Sequence, residues 1–285
     1  MDQNSCPILL SPLSPIQQMD RELMHFSLYQ KKAKNKLFGL QAHLVPPLKL
    51  MNDGPKSYHI FKQNGDEYFN IFVNFCQLKP TDQILDIGCG IGRKTLPLLD
   101  YVDSKLGRYE GIDVFKPHID WCKKKIEITY PYFHFQHVDI WNKLYNPSGI
   151  IKANQYKFPF DKEFDFVILG SVFTHMFISD MRSYMLEINR ILKLGGRGMI
   201  SYFLLNSESE EMIAEGKSTL QIIYEVEPGC KADNPNRFES AMGHDENIIL
   251  QLFRDLGIKT KIYYGSWCGR EQYLTYQDVI CLEKI

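Results

Sequence analysis

The residues most clearly suited to chemistry lie in the segment LDIGCGIGR, residues 85–93. Three glycines, Gly88, Gly90 and Gly92, follow directly after an apolar run. Glycines at this spacing allow a tight turn and let a ligand approach the backbone closely. In an α/β sheet a turn of this kind lies at the carboxyl ends of the strands, where ligands bind. The segment therefore predicts a ligand-binding loop.

Two classes of ligand compete for this loop. Proteins that bind dinucleotides prefer the spacing G-x-G-x-x-G and place a pyrophosphate at a helix N-terminus. Here the spacing is G-x-G-x-G, and Arg93 occupies the position of the last glycine. Asp86, two positions before the first glycine, would repel a pyrophosphate but suits an ammonium group, directly or through water. The pattern favours an ammonium-bearing ligand without phosphate, and a nucleotide-dependent oxidoreductase is the less favoured enzyme.

The loop resembles motif I of class I S-adenosylmethionine-dependent methyltransferases, and the resemblance covers about residues 80–205, with weaker coverage to the end. It implies S-adenosylmethionine as the cofactor. Asp113, at the tip of GIDVF, matches the family's ribose-binding acid, and Asp139 in HVDIWN matches an acid that often binds the adenine amino group. RILKLGGRGMIS looks like the family's L-x-P-G-G turn, with Leu194 where proline is usual. The residues that the resemblance assigns to the cofactor are Asp86, Gly88, Cys89, Gly90, Gly92, Arg93, Asp113, Val114, Asp139, Ile140, Gly170 and Ser171.

The reaction that this resemblance implies is an in-line displacement at a methyl group. Such a reaction needs the nucleophile to be aligned and, when the nucleophile is a hydroxyl, a proton to be removed. His175 follows the fourth predicted strand and is the candidate general base, because imidazole titrates near neutral pH. The alternative is that His175 only packs against or hydrogen-bonds the next helix.

Several classes of acceptor are disfavoured. Enzymes that methylate amide or amino nitrogens of nucleobases or glutamine usually carry N/D-P-P-Y/F after the fourth strand, whereas residues 170–173 read GSVF. No Pro-Cys pair is present for cytosine C5 chemistry, and no basic stripe with interleaved aromatics indicates a nucleic-acid partner. A small molecule is favoured, with a hydroxyl of a natural product, sugar or lipid-like acceptor as the target and carbon or nitrogen left open. A non-catalytic Rossmann-like binding protein would be expected to lose Gly88, Gly90 or Asp113, and all three are present.

The acceptor pocket is expected to come from segments outside the predicted core. The insertion over about 206–244 is expected to act as a cap, and 141–163 as a lid, because loops and insertions commonly carry specificity. For Trp267 the alternative is a position in the core, and for Arg270 the alternative is a surface charge. The candidate acceptor contacts are Tyr58, Phe61, Tyr68, Trp267 and Arg270.

Strand-like and helix-like runs alternate from Gln83 onwards, which is typical of a parallel sheet flanked by helices. We predict an α/β fold: a doubly wound, mostly parallel, seven-stranded Rossmann-like methyltransferase sheet over 80–285, with an N-terminal helical extension over 1–79. Gly195 and Gly196 are expected to end a helix. Strands are predicted at 83–88, 108–113, 133–139, 164–170, 196–204, 260–265 and 276–283, and helices at 19–38, 65–78, 94–101, 116–127, 178–193 and 245–256.

Composition narrows the remaining classes. A formal net charge of −1 gives no reason to expect a nucleic-acid or acidic-membrane partner. The 7 cysteines include no C-x-x-C pair, so reduced thiols in a cytoplasmic protein are expected rather than a disulfide framework. No signal peptide, membrane span or bound metal is expected. A homodimer is left open.

Overall fold

The structure is a computed structural model that describes residues 30–52, 54, 56–161 and 164–285. The chain divides into two compact units, Met1–Val45 and Pro46–Ile285. In the first unit, helix α1 covers residues 30–38, and a 3₁₀ helix, Gly39–Leu44, follows it. The helix expected over 19–38 is therefore present in its described part. Residues 1–29, Pro55 and the end of the segment expected to act as a lid lie outside the described residues.

The second unit is built on a seven-stranded sheet. The strands lie in the order β10-β11-β5-β4-β1-β2-β3, and β11 runs antiparallel to its neighbours β5 and β10. Strands β1 and β4 in the centre are almost wholly buried, as expected for strands covered on both faces. The predicted fold class is confirmed. The strands of this sheet are β1 (Gln83–Ile87), β2 (Arg108–Asp113), β3 (Phe133–His137), β4 (Phe164–Leu169), β5 (Leu192–Tyr202), β10 (Ile258–Tyr263) and β11 (Asp278–Lys284).

Helix α4 (Ile178–Ile191) packs on the sheet through one apolar stripe. In α4, Met181, Tyr184, Met185 and Ile188 are buried, at the spacing of a single helix face. Helix α2 begins after Ser57, whose side chain accepts a hydrogen bond from the backbone N–H of Ile60. The helices are α2 (Tyr58–Asn70), α3 (Lys116–Cys122), α4 (Ile178–Ile191), α5 (Ser207–Ala214) and α6 (Glu246–Asp255), with π-helical turns continuing α2 to Phe75 and α3 to Glu127.

Two local predictions were wrong. The helix expected over 94–101 is only a 3₁₀ turn, Leu96–Leu98, because Pro97 has no N–H to donate. Helix α4 ends at Ile191, before the pair of glycines that we expected to stop it. Gly195 and Gly196 lie inside β5, where the register against β4 shifts, and the positive φ of Gly195, 71°, suits that irregularity.

A second, smaller sheet takes three of its four strands largely from the insertion expected over 206–244. Its strands lie in the order β6 (Leu204–Leu205), β9 (Met242–Asp245), β8 (Cys230–Ala232) and β7 (Tyr224–Glu227). The sheet and α5 have a core of their own around Trp267, Phe203 and Ile222. This segment was predicted as a cap-like insertion, but its strands were not predicted.

A disulfide joins Cys76, after the end of α2, to Cys281 in β11. The Cα atoms lie 5.2 Å apart although the residues are separated by 205 positions in the sequence. The expectation of reduced thiols is therefore wrong for this pair, because the sheet brings distant segments together. The other described cysteines are free and buried. Because of this disulfide, reduced thiols no longer support the predicted cytoplasmic location, which stays a prediction.

The described residues contain neither a membrane-spanning helix nor a cluster of metal ligands. None of their helices is long and apolar enough to cross a membrane. Within the same ranges, no three His, Cys, Asp or Glu side chains come together as metal ligands.

We expect the double variant Cys76→Ser/Cys281→Ser to lower the free energy of unfolding by about 2–4 kcal/mol, since a cross-link restricts the unfolded chain. Thermal unfolding with and without dithiothreitol measures the effect. The reductant should lower the melting temperature of the parent and leave the double variant unchanged. Detection of both cysteines as free thiols in the native protein, by mass spectrometry under non-reducing conditions, would contradict the pairing.

Candidate active site

A cavity of about 400 Å³ opens at the carboxyl ends of β1, β2, β3 and β4. Its apolar walls come from Ile87, Ile112, Val138 and Ile140, and its polar groups come mainly from the loops that follow the strands. Ligand sites commonly combine apolar walls with a few placed polar groups. The cavity lies where the sequence places the ligand-binding loop.

The glycine loop at one side of the cavity has already used its backbone donors. The N–H groups of Gly88 and Cys89 both donate to the carbonyl of Ile112, at 2.8 and 3.1 Å. The N–H of Gly90 donates to a carboxylate oxygen of Asp113 at 2.8 Å. Both glycines have positive φ, 74° and 57°. These three N–H groups are therefore not free to bind a pyrophosphate, as the loop of a dinucleotide site would.

Asp113 lies in the cavity wall at the end of β2. Its Oδ2 accepts from Gly90, and its Oδ1 accepts from the backbone N–H of Phe115 at 2.7 Å. Burial raises the pKa of the carboxyl, and the two backbone hydrogen bonds oppose that rise. Each carboxylate oxygen has acceptor capacity left, so the group suits a ligand with two hydroxyls.

Asp86 lies behind the cavity wall, not in it. Its side chain is fully buried, and its Oδ2 accepts from the hydroxyl of Tyr109 at 2.7 Å. The Nζ of Lys94 lies 3.2 Å from Oδ1 and donates to the carbonyl of Gly88 at 2.8 Å. Direct contact between Asp86 and a ligand ammonium does not fit this geometry, because the ammonium that Asp86 meets belongs to Lys94.

The charges of this pair are set by burial and by each other. Burial raises the pKa of Asp86, although Lys94 and Tyr109 lower it. For Lys94, burial lowers the pKa, but Asp86 and other neighbouring groups raise it more. Sequence analysis missed Lys94 and Tyr109. Only the position of Lys94 just after the loop could have suggested its role.

Beyond β3, the wall is apolar where the resemblance implied an acid. Ile140 lines the cavity, but Asp139 does not, and its Oδ1 accepts from the side chain of Asn146 at 3.1 Å. Val114, after β2, faces the same space. A flat ring would meet the side chains of Val114 and Ile140 here.

Tyr184 of α4 contributes a polar group that the sequence analysis did not find. The residue lines the cavity and is only 5% exposed, and its ring packs against Phe158 and Phe173. Burial raises the pKa of the hydroxyl, and nearby Tyr156 adds to the rise. No residue that the structure describes hydrogen-bonds this hydroxyl. A buried hydroxyl without a partner is costly unless a ligand or water satisfies it.

His175 lines the cavity on the loop after β4, in a short 3₁₀ turn. Its Nδ1 lies 2.7 Å from the backbone carbonyl of Glu239, in the insertion. A carbonyl can only accept, so Nδ1 carries the proton and Nε2 keeps a free lone pair. Burial lowers the pKa of the ring, against the hydrogen bond to Glu239 and the charge of Asp233. The ring is therefore neutral at pH 7 and has the tautomer that a base requires at Nε2.

Most of the other predicted cofactor residues line the cavity, and Gly92 supports the glycine turn. Cys89, Arg93, Gly170 and Ser171 line the cavity. Gly92 does not line it, but its φ of 85° suits glycine and completes the turn.

The candidate acceptor contacts near the N-terminus are only partly brought together. Tyr68 lines the cavity, whereas Tyr58 and Phe61 do not. Phe61 is buried under the guanidinium of Arg93, 5.6 Å from its ring centroid. Tyr58 is half-buried and hydrogen-bonds the backbone of Leu48.

Trp267 and Arg270 lie outside the cavity wall, contrary to the expectation that they contact an acceptor. The indole of Trp267 is fully buried and donates to Asp278 at 2.7 Å. The guanidinium of Arg270 pairs with Asp278 and Glu208 and stacks on Tyr264. Burial raises the pKa of Asp278 to about 6, against these partners. Both residues stabilise the region next to the second sheet.

Comparison with known proteins agrees with this geometry. Residues 85–200 match a family described as a methyltransferase domain. The PH0226 protein from Pyrococcus horikoshii OT3 has a similar fold, with a TM-score of 0.56 and 14% identity over 86% of this chain and 99% of that chain. The glycopeptide N-methyltransferase MtfA also has a similar fold, with a TM-score of 0.50 and 11% identity over 78% of this chain and 90% of that one.

We expect Asp113→Ala to weaken binding of S-adenosylhomocysteine by about 1–3 kcal/mol, because the hydroxyls of a bound ribose would lose their acceptor. Asp139→Ala is the matched control at the next strand end and should change the affinity much less. Isothermal titration of both variants, with NAD as a competing ligand, measures the difference. Tight NAD binding by the parent, without a response to S-adenosylhomocysteine, would show that the site takes a different ligand.

Proposed function

We propose that this chain, whose residues 85–200 match a methyltransferase-domain family, is an S-adenosylmethionine-dependent methyltransferase that methylates a hydroxyl group of a small organic molecule. The observation that carries the proposal is the neutral ring of His175, whose Nδ1–H is held by Glu239 so that Nε2 can accept a proton. Base assistance is useful for a hydroxyl acceptor and unnecessary for a neutral amine.

The residues of the cavity fit the cofactor. The carboxylate of Asp113 suits the ribose hydroxyls, Val114 and Ile140 suit the faces of the adenine ring, and the unpartnered hydroxyl of Tyr184 suits a ring nitrogen. The glycine loop allows close approach without offering its N–H groups to a phosphate. When bound, S-adenosylmethionine supplies an electrophilic methyl group on a sulfonium.

The chain's own contribution is alignment, exclusion of water and removal of one proton. His175, Met176 and Val172 share the part of the wall after β4, with Tyr68 from α2 also in the wall. Val172 and Met176 carry no charge, and burial keeps the ring of His175 neutral. We therefore expect a neutral acceptor whose reacting hydroxyl lies within reach of Nε2 of His175.

The insertion over 206–244 is proposed to select the acceptor. Its Glu239 holds His175 through a backbone carbonyl, so a change in the insertion alters the position of the base as well as the space beside it. MtfA, which has a similar fold, methylates nitrogen. Nitrogen methylation is the second candidate, and a minor role for His175 would favour it.

We expect Tyr184→Phe to weaken binding of S-adenosylhomocysteine by about 1 kcal/mol, because the ligand loses one hydrogen bond while the ring keeps its packing. Tyr156→Phe is the matched control, since Tyr156 packs against the same Phe158 but does not line the cavity. Isothermal titration at one temperature compares the three proteins. Equal affinities would remove Tyr184 from the binding site.

We expect His175→Gln to reduce turnover by about 10²–10⁴-fold while cofactor affinity is kept. Because burial lowers the pKa of His175 below 6.5, the active neutral form persists at pH 7, and turnover should fall only as pH drops below 6.5. His59→Gln, at an exposed position of α2, is the control. A panel of hydroxylated and amino compounds, assayed for release of S-adenosylhomocysteine, supplies the acceptor.

The titration of His175 can be followed without any acceptor by NMR of ¹³C-labelled histidine, which reports both pKa and tautomer. Turnover that is unchanged in His175→Gln, or an acid limb that does not follow this ring, would leave alignment alone as the source of the rate and favour a nitrogen acceptor.

A further inference from the structure

Ser171 has a backbone conformation that residues with a side chain seldom adopt. Its φ of 59° lies in the left-handed region, where a non-glycine residue is strained. Strain of this kind persists only where the surroundings hold it, and it is concentrated at ligand sites. Ser171 lines the cavity on the loop that also carries His175.

Three hydrogen bonds hold Ser171 in this conformation. Its backbone N–H donates to Oγ of Ser201 at 2.7 Å. Its own hydroxyl donates to Oε1 of Gln277 at 2.9 Å, and the hydroxyl of Ser201 donates to the same oxygen at 2.6 Å. Ser201 is buried in β5, and Gln277 immediately precedes β11. One amide oxygen therefore orients both hydroxyls, and with them the acceptor for the Ser171 N–H.

The loop that Ser171 controls is in direct contact with the glycine loop. The next residue, Val172, lies so close to Gly88 that a Cβ on the glycine would come within 2.5 Å of a Val172 methyl group. The conformations of the loops after β1 and β4 are therefore coupled. A shift of Ser171 would move Val172 and change the cavity beside Gly88.

We propose that Gln277 is a positioning residue, which shapes the cofactor site by holding Ser171 in the left-handed conformation, both directly and through Ser201. Gln277 does not line the cavity, so it acts through the other two residues. When the side-chain oxygen of Gln277 is removed, Ser171 can relax from the strained conformation. Ligand binding then has to restore that conformation, which costs free energy and weakens the affinity. The inference rests on the proposed function for the identity of the ligand.

Glycine provides the decisive test, because it adopts positive φ at no steric cost. Gln277→Met should weaken S-adenosylhomocysteine binding roughly tenfold, the scale of one strained residue. Ser171→Gly keeps the N–H to Ser201 and removes the strain, so its own affinity is the reference for the double variant. In the double variant Ser171→Gly/Gln277→Met the affinity should return to that of Ser171→Gly, since no strained residue is left to relax.

The measurements are isothermal titration with S-adenosylhomocysteine and thermal unfolding of the same samples. Ser209→Ala is the control for stability alone. It breaks the hydrogen bond that Ser209 donates to Leu204 at the start of α5, and it should lower the melting temperature without changing the dissociation constant.

The outcomes separate the two proposals. A parent protein that does not bind S-adenosylhomocysteine contradicts the proposed function and this inference with it. A parent that binds, with Gln277→Met binding equally well, contradicts the inference alone. Weakened binding that Ser171→Gly fails to restore also contradicts it, because Gln277 would then contribute only to general stability.

Discussion

The buried ion pair of Asp86 and Lys94 is the constraint on which the cavity depends. A buried charge without a partner costs several kcal/mol, so neither residue can leave without the other. Lys94 also donates to the carbonyl of Gly88, which ties the glycine loop to the strand before it. With the loop fixed in this way, the N–H groups of residues 88–90 are directed to Ile112 and Asp113, and the carboxylate of Asp113 stays in the cavity wall. The preference for a ligand without phosphate follows from this arrangement.

On the other side of the cavity, the geometry depends on a contact made by the insertion. Glu239 lies in the insertion and His175 in the loop after β4, yet one hydrogen bond between them sets the tautomer of the imidazole. The short sheet of β6 to β9 holds Glu239 in place, because the 3₁₀ turn that contains Glu239 leads directly into β9. Under the proposed function, the segment expected to cover the acceptor also holds the base. Changes in acceptor preference and in rate would then be coupled through this one contact.

The main sheet could be predicted because its strands are apolar runs that end in glycines or acids, and the position of Asp113 followed from the same pattern. Local sequence could not show that Asp86 meets Lys94, since the pairing depends on burial. Tyr184 looked like one core residue among several on α4, and only packing shows that its hydroxyl faces a cavity. Trp267 was a candidate acceptor contact, but its indole is buried and donates to the buried carboxylate of Asp278, so it belongs to the core. The strands of the insertion are short, and they depend on each other more than on their own periodicity.

The disulfide between Cys76 and Cys281 gives the domain an unusual response to mechanical force. A pull applied at Pro46 and Ile285 reaches the sulfur bridge once residues 46–75, which include α2, and the last few residues of β11 have been pulled away. The load then passes through the sulfur–sulfur bond from one cysteine to the other. The chain between Cys76 and Cys281, which includes the glycine loop and the strand ends that form most of the cavity, then carries no tension. Tethered by its ends, the domain should keep most of its main sheet folded under forces that would unfold the reduced protein.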